Sequence, residues 1–459
     1  MTDAGDDRPM KMFGTNGVRG IANEYLCCEL ALQMGKSIGK ILGTRIAVAM
    51  DTRVSSQMVK FALCSGLMSV GSDILDLGMV PTPALQHYIR SHPEVTGGVM
   101  ITASHNPPEF NGIKCISGDG TECTHEEETA IENLYDTEIP VVTWEHIGST
   151  STVTRAAEDY VESIVALVDA EKIRKARLTV CVDCANGASV ETTPMLLRRL
   201  GVRAITINGN PQGEFPGHPS EPTEDNLLEL KKLTASVGAD LGVAHDGDAD
   251  RCVFVTGSGN YVSGDLTLAL LARSALRKNP NGEVVITVAT SKVVEDTVRS
   301  AGGSTVYTAV GSPIVARKMA EDGGIFGGEE NGGLIFADHQ FCRDGAMGLA
   351  KMLEIIAAGE SLDSLVNSLP KYTTIKNAVK CPDILKTKIL DAIAESHSEE
   401  SPDRTDGLRI NYDDGWVLLR PSGTEPKFRI YSESIDPSKA KERSESLMSE
   451  FQYMLEKLA

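Results

Sequence analysis

Three times along this chain of 459 residues the same order of segments recurs, and that repetition limits the fold more than any other feature. Each copy opens on an apolar, β-branched run that ends in a polar turn and leads into a helical pattern: RIAVAMDTR from Arg45, LTVCVDCANG from Leu178 and EVVITVATS from Glu283. A glycine-led second strand follows, over 71–83, 201–213 and 302–313. The third strand runs straight into an unusual loop: GGVMITASHNPPE from Gly97, ADLGVAHDGDADR from Ala239 and GGIFGGEENGGLI from Gly323. Strand, helix, strand, helix, strand is the pattern of an α/β unit with parallel crossovers. Ligands of such sheets bind outside the carboxyl ends of the strands, so the three loops are expected to converge on one central cleft.

After residue 361 the pattern changes. A helix-like segment (384–395), an acidic polar stretch (396–406), short strands near 408–410 and 416–419 and an amphipathic closing helix (438–457) indicate a smaller domain of another kind. It carries a fourth loop, RPSGTEPKFRIY from Arg420. The expected fold class is therefore α/β: three similar α/β domains with mixed sheets plus a smaller C-terminal α+β domain, arranged around a central cleft. The expected boundaries are 1–153, 154–254, 255–367 and 368–459.

Charge narrows the partners. With 44 Lys plus Arg against 64 Asp plus Glu, the formal net charge of -20 disfavours nucleic acid and anionic membrane. An anionic small substrate then needs a local basic cluster. The longest apolar-rich stretch, 266–276, is interrupted by Arg273 and too short to span a bilayer, and residues 1–9 are acidic and polar, so a cytoplasmic location is expected. Ten scattered cysteines do not make a disulfide scaffold. Cys181 and Cys184, in a strand-like run without a second pair, read as reduced thiols on opposite faces of a strand rather than as a zinc site.

The loops carry the chemistry. Ser104 follows an apolar strand and is flanked by His105, Asn106 and two prolines that hold a non-helical turn; it is either turn chemistry or a rigidly presented nucleophile. Asp246, Asp248 and Asp250 alternate in DGDADR and would repel one another severely without a cation, for which hard oxygen ligands suit Mg²⁺ or Ca²⁺. An EF-hand is disfavoured, since Arg251 stands where the loop's glycine belongs and Gly257 where its last glutamate belongs. Arg251 suits a phosphate that the metal also touches. In GGEENGG, glycines bracket Glu329, Glu330 and Asn331, groups suited to sugar hydroxyls. The fourth loop gathers Arg420, Ser422, Thr424, Lys427 and Arg429 around Gly423 and forms the missing phosphate cradle. Together these parts point to phosphoryl transfer on a phosphorylated sugar.

TASHNP, DGDADR, GEENGG and RPSGTEP, with FGTNGVRG from Phe13, stand in an order and spacing that resembles the α-D-phosphohexomutases across nearly the whole chain. FGTNGVRG and AVGSPIVARKM from Ala309 look most like the archaeal branch usually labelled phosphoglucosamine mutase. The resemblance implies a cytoplasmic, Mg²⁺-dependent isomerase, an intramolecular phosphotransferase of amino sugar biosynthesis. It would interconvert glucosamine 6-phosphate and glucosamine 1-phosphate through a phosphoserine and a bisphosphorylated sugar, with a bisphosphorylated hexose as activator. Phosphomannomutase or phosphoglucomutase activity is the alternative on the same scaffold. Residue by residue, the resemblance makes Ser104 the phosphoryl carrier and, with Asp246, Asp248 and Asp250, a ligand of the metal. Arg251 follows the metal loop, and Arg19 and Lys114 surround the transferring phosphate. Glu329 and Asn331 bind sugar; Arg420, Ser422, Gly423, Thr424 and Arg429 anchor the non-reacting phosphate. Gly333 stands where many relatives have histidine, so His105 and Lys114 are the candidates for proton transfer.

Overall fold

The computed structural model of the chain describes residues 12–14, 17–422 and 425–458. Each repeat builds a sheet in the same strand order. In the first, Phe110–Ser117, Gly97–Ile101, Arg45–Met50 and Asp73–Met79 lie side by side, with Val18–Ile21 and Thr150–Thr152 added at the edges. The second sheet sets Cys252–Thr256, Leu241–His245, Thr179–Asp183 and Arg203–Ile207 in the same succession, and the hairpin partner Tyr261–Val262 continues it. The third repeats the order with Leu334–Phe336, Phe326–Gly328, Glu283–Thr287 and Ser304–Thr308, edged by Gln340–Arg343.

In the first and third sheets the three repeat strands run parallel, joined by helices, and the next strand returns antiparallel. Chain geometry explains the switch. A helix between strands allows a parallel crossover, whereas the short loop after the third strand permits only a hairpin-like return. The sheets are therefore mixed, and each of the three chemical loops links a third strand to its returning partner.

Contacts group the chain into two compact units: residues up to Ala170 with Cys181–Leu230 and Ala244–Asp250, and Glu171–Val180 with Lys231–Val243 and Arg251–Ala459. In the first, the helices Cys28–Leu42 and Ser56–Ser69 close over the sheet with Met34, Ile38, Val59 and Leu63 against Ile46, Val48, Val99 and Ile101. All five residues of Gly97–Ile101 are buried, so Ser104 leaves the middle of a fixed platform.

In the second unit, the apolar stretch at 266–276 becomes the buried face of the helix Gly264–Lys278. No helix among the described residues is long and apolar enough to cross a membrane. Cys181 and Cys184 are buried thiols outside any disulfide; Cys184 follows the last strand residue, and burial pushes its thiol up to about 12. The C-terminal sheet is antiparallel throughout, in the order Thr373–Lys380, Lys427–Ser434, Gly415–Pro421 and Leu408–Tyr412. Helices Asp383–Ser396 and Pro437–Leu458 bury Leu385, Ile389, Phe428, Ile430 and Phe451 with it. Trp416 and Leu418 pack against Val288 and Ala289 of the third repeat. Arg409 lies 4.5 Å from the Tyr307 ring and 4.8 Å from Trp416, and donates to Val288 O at 2.8 Å.

Candidate active site

Ser104 is fully buried and adopts a left-handed backbone with φ of 51°. For a residue with a Cβ that conformation costs on the order of 1 to 3 kcal/mol, so the surroundings must hold it. Its N–H donates to Thr102 Oγ1 at 2.8 Å, and Thr102 donates in turn to Asp51 Oδ2 at 2.7 Å. Its Oγ donates to Asp246 Oδ2 at 2.8 Å and lies 3.3 Å from His105 Nδ1. Arg19 reaches the same turn, donating to Asn106 Oδ1 at 2.9 Å.

The carboxylates of Asp246, Asp248 and Asp250 each offer an oxygen within 4.8 Å of the others, and all three residues are buried. Lys114 Nζ lies 3.1 Å from Asp248 Oδ2 and 3.2 Å from Asp250 Oδ2, and offsets one of the three charges. Taking carboxylates out of water costs several kcal/mol each, so this cluster of hard oxygen donors fits a divalent cation. Thr82, at the start of the helix Thr82–Ser91, donates its hydroxyl to Asp248 Oδ2 at 2.6 Å and its N–H to Asp248 O at 3.0 Å. The second repeat's first turn supports the metal loop from behind, Ala188 N donating to Gly247 O at 2.9 Å. A Cβ on Gly187 would stand 2.5 Å from Gly247 O, and one on Gly247 would stand 2.6 Å from Ser104 O. Two glycines therefore let three loops stack backbone to backbone.

Thus the first unit brings together Ser104, His105, Arg19, Lys114 and the three aspartates. The sequence reading missed Thr82, and also the buried pair Asp51 and Arg53 behind the serine loop. The DTR triplet that ends the first strand was visible, but nothing in it foretold a contact with residues about fifty positions away.

The second unit holds the other candidates. Arg251 is buried and pairs as an antiparallel bridge with Gly333, while Cys252 N donates to Gly332 O at 3.0 Å, so the chain after the metal loop runs beside the glycine-rich loop. Glu329 is buried 3.6 Å from Arg343 Nη1, and Asn331 Oδ1 accepts from Gly333 N at 3.0 Å. Arg420 and Arg429 are directly opposite on neighbouring strands. Arg420 Nε donates to Asp406 Oδ2 at 2.6 Å, and that same oxygen accepts from Val310 N at 2.9 Å. Lys386, another residue the sequence reading missed, donates to Ser422 O at 2.6 Å and Glu425 O at 2.7 Å, clamping the fourth loop's ends. Gly423 and Thr424 lie outside the described residues.

With fold and geometry in place, comparison with known proteins defines the class. Four family models match in order: phosphoglucomutase/phosphomannomutase alpha/beta/alpha domains I (residues 10–141), II (158–259) and III (263–372), and the C-terminal domain (377–449). The chain belongs to this family, the α-D-phosphohexomutases, and is accordingly a phosphohexomutase, an isomerase. Among its relatives is a protein of Thermococcus kodakarensis named phosphoglucomutase/phosphomannomutase, 44% identical over 442 residues that cover 94% of this chain and 96% of the other. Another, of Methanopyrus kandleri, is named probable phosphoglucosamine mutase and is 41% identical over 447 residues, 96% of this chain and 97% of that one. A crystal structure of a phosphoglucomutase/phosphomannomutase family protein from Burkholderia thailandensis superposes with a TM-score of 0.86 at 26% identity, covering 96% and 97% of the two chains.

Proposed function

We propose that the chain interconverts glucosamine 6-phosphate and glucosamine 1-phosphate through a phosphoserine at Ser104 and a bisphosphorylated sugar. The observation that carries this reading is Ser104 Oγ, buried in a strained turn 2.8 Å from Asp246 and beside two further aspartates. Asp246, Asp248, Asp250 and the phosphorylated serine would hold Mg²⁺. The metal's chemistry, when bound, is to neutralise charge on the transferring phosphoryl group.

This chain's residues do the rest. The serine P–O bond breaks as a sugar hydroxyl oxygen bonds to phosphorus, and the proton lost by that hydroxyl ends on the released Ser104 Oγ. The second transfer returns a phosphoryl group to Ser104 from the other end of the sugar. His105, within reach of Ser104 Oγ, gives or takes the serine's proton. Lys114, Arg19 and Arg251 supply positive charge to the moving phosphate. Glu329 and Asn331 read sugar hydroxyls. Arg420, Ser422, Gly423, Thr424 and Arg429 hold whichever phosphate is not reacting, and a bisphosphorylated hexose loads the enzyme. Four domains share this work, with expected limits 1–153, 154–254, 255–367 and 368–459; the limit at 254 has to move past Val262, because the strand Cys252–Thr256 crosses it and the hairpin partner Tyr261–Val262 belongs to the same second sheet.

The relative named phosphoglucomutase/phosphomannomutase favours a second reading, with glucose or mannose phosphates as substrates. Side-by-side kcat/KM values for the 1-phosphates of glucosamine, glucose and mannose separate the two. A preference for glucosamine 1-phosphate is expected, and a preference for either neutral sugar would replace the first reading by the second.

A further inference from the structure

We propose that Arg53, backed by Asp51, is the positioning residue of the serine loop and fixes where Ser104 Oγ stands over the aspartates; the proposal rests on Ser104 carrying the phosphoryl group. A guanidinium has five N–H donors. Here all five are used on the loop and its support. Nη2 donates to Ser104 O at 2.8 Å and Asn106 O at 2.7 Å. Nη1 donates to Pro107 O at 2.6 Å and Phe110 O at 2.9 Å, and Nε to Asp51 Oδ2 at 3.1 Å. Four carbonyls of one turn thus converge on a single rigid plane.

Asp51 closes the arrangement from the other side. It accepts from Arg53 N at 3.0 Å, Ser56 Oγ at 2.7 Å and Thr102 Oγ1 at 2.7 Å, and Thr102 accepts the N–H of Ser104. Both backbone polar groups of Ser104 therefore end on one ion pair, its carbonyl directly and its N–H through Thr102. The pair is buried, with the guanidinium 5.0 Å from the Phe215 ring centroid. Burial raises the Asp51 carboxyl's pKa, and Arg53 works against that rise. A left-handed serine needs such support, and a planar five-donor fork supplies it where the three donors of lysine could not serve all five acceptors at once, Ser220 Oγ adding only longer bonds to Ser104 O and Asn106 O at 3.5 and 3.3 Å. Arg53 acts on the reacting hydroxyl through the backbone alone.

The test compares Arg53→Lys, Thr102→Val and Ser104→Ala in the full chain with the wild type. It measures kcat and KM per folded molecule with the best 1-phosphate substrate, and phosphoserine loading by glucose 1,6-bisphosphate from intact mass. A misplaced nucleophile should lower kcat about a hundredfold in Arg53→Lys and about tenfold in Thr102→Val, with KM within about threefold, because about 1 Å of misplacement is enough for a hundredfold loss. A purely structural role would lower the amount of folded protein and leave its kcat unchanged; wild-type kcat in folded Arg53→Lys, with Ser104→Ala inactive, overturns the positioning role alone. If Arg53→Lys does not fold, Thr102→Val decides, and a wild-type kcat there has the same meaning. Turnover by Ser104→Ala would overturn the nucleophile reading and this proposal with it.

Discussion

Replacing Gly247 by alanine should push the serine loop and the metal loop out of register. The added Cβ would sit 2.6 Å from Ser104 O, 0.8 Å inside the 3.4 Å at which ordinary contact begins. Neither neighbour can yield cheaply. Ser104 O is held by Arg53 Nη2 at 2.8 Å, and the metal loop is backed by Ala188 N on Gly247 O at 2.9 Å. Gly247 does not have a positive φ, so the perturbation is steric and not conformational. Overpacking of this kind costs about 1 to 3 kcal/mol of stability. A shift approaching 1 Å between nucleophile and carboxylates costs about a hundredfold in kcat, equal to about 2.7 kcal/mol of barrier. Steady-state turnover with saturating sugar phosphate, repeated over a Mg²⁺ titration and paired with thermal unfolding, measures both effects. A variant that melts normally and keeps kcat within about twofold would refute the claim that the loops are held in fixed register.

Asp248→Asn removes one charge from an oxygen that Thr82 and Lys114 share, and should abolish Mg²⁺-dependent turnover while sugar-phosphate binding, followed by isothermal calorimetry, changes little. Arg429→Ala should lower kcat/KM from both the 1-phosphate and the 6-phosphate sides by about tenfold to a hundredfold, the worth of a charge-assisted bond of about 1.5 to 3 kcal/mol. Because Arg429 faces Arg420 across the ladder, its removal also relieves a like-charge pair, so melting should not fall; an effect in one direction only would defeat the shared anchor. His218 is opposed by burial, but the hydrogen bond and charge of Asp183 at 3.1 Å outweigh it and raise its pKa above the usual 6.5. Its contribution to stability is thus fully present below about pH 6.5 and lost as pH rises through the higher folded value. The gap between the unfolding midpoints of wild type and His218→Asn should shrink across that window and become constant at alkaline pH, and parallel curves throughout would exclude the linkage.

The alternation of elements was legible because strand and helix periodicities differ and each repeat shows both. The aspartates were legible as a candidate metal cluster because three alternating carboxylates repel one another without a cation, whereas the Ser104 loop alone read as well as turn chemistry and stood out only beside the other loops and the family resemblance. The strand Thr373–Lys380 was missed, since its residues alternate between half-buried and exposed and include two lysines, so its apolar signal is weak. The short edge strand Thr150–Thr152 is fully exposed and carries no hydrophobic pattern at all. Arg53, Asp406 and Lys386 were invisible as site components for a physical reason. Each works by reaching backbone or side-chain atoms distant in sequence, and a single charged residue in a turn looks the same whether it is solvated or clamped.

On the proposed reading, in which Arg420 anchors a phosphate, Asp406 gives that arginine a resident competitor. A carboxylate 2.6 Å from Arg420, pinned by the amide of Val310, occupies part of the ground that a phosphate would take. Capture then becomes an exchange of anions: a dianion displaces a monoanion, and weakly binding monoanions such as chloride gain nothing by trying. The same exchange runs in reverse when a phosphate leaves, since the carboxylate is already waiting to neutralise the guanidinium. On the proposed reading the sugar must be let go and gripped again by its opposite end within each cycle. A grip that carries its own replacement ligand trades tightness for speed of release, and in a catalyst that must change hands that is the more useful property.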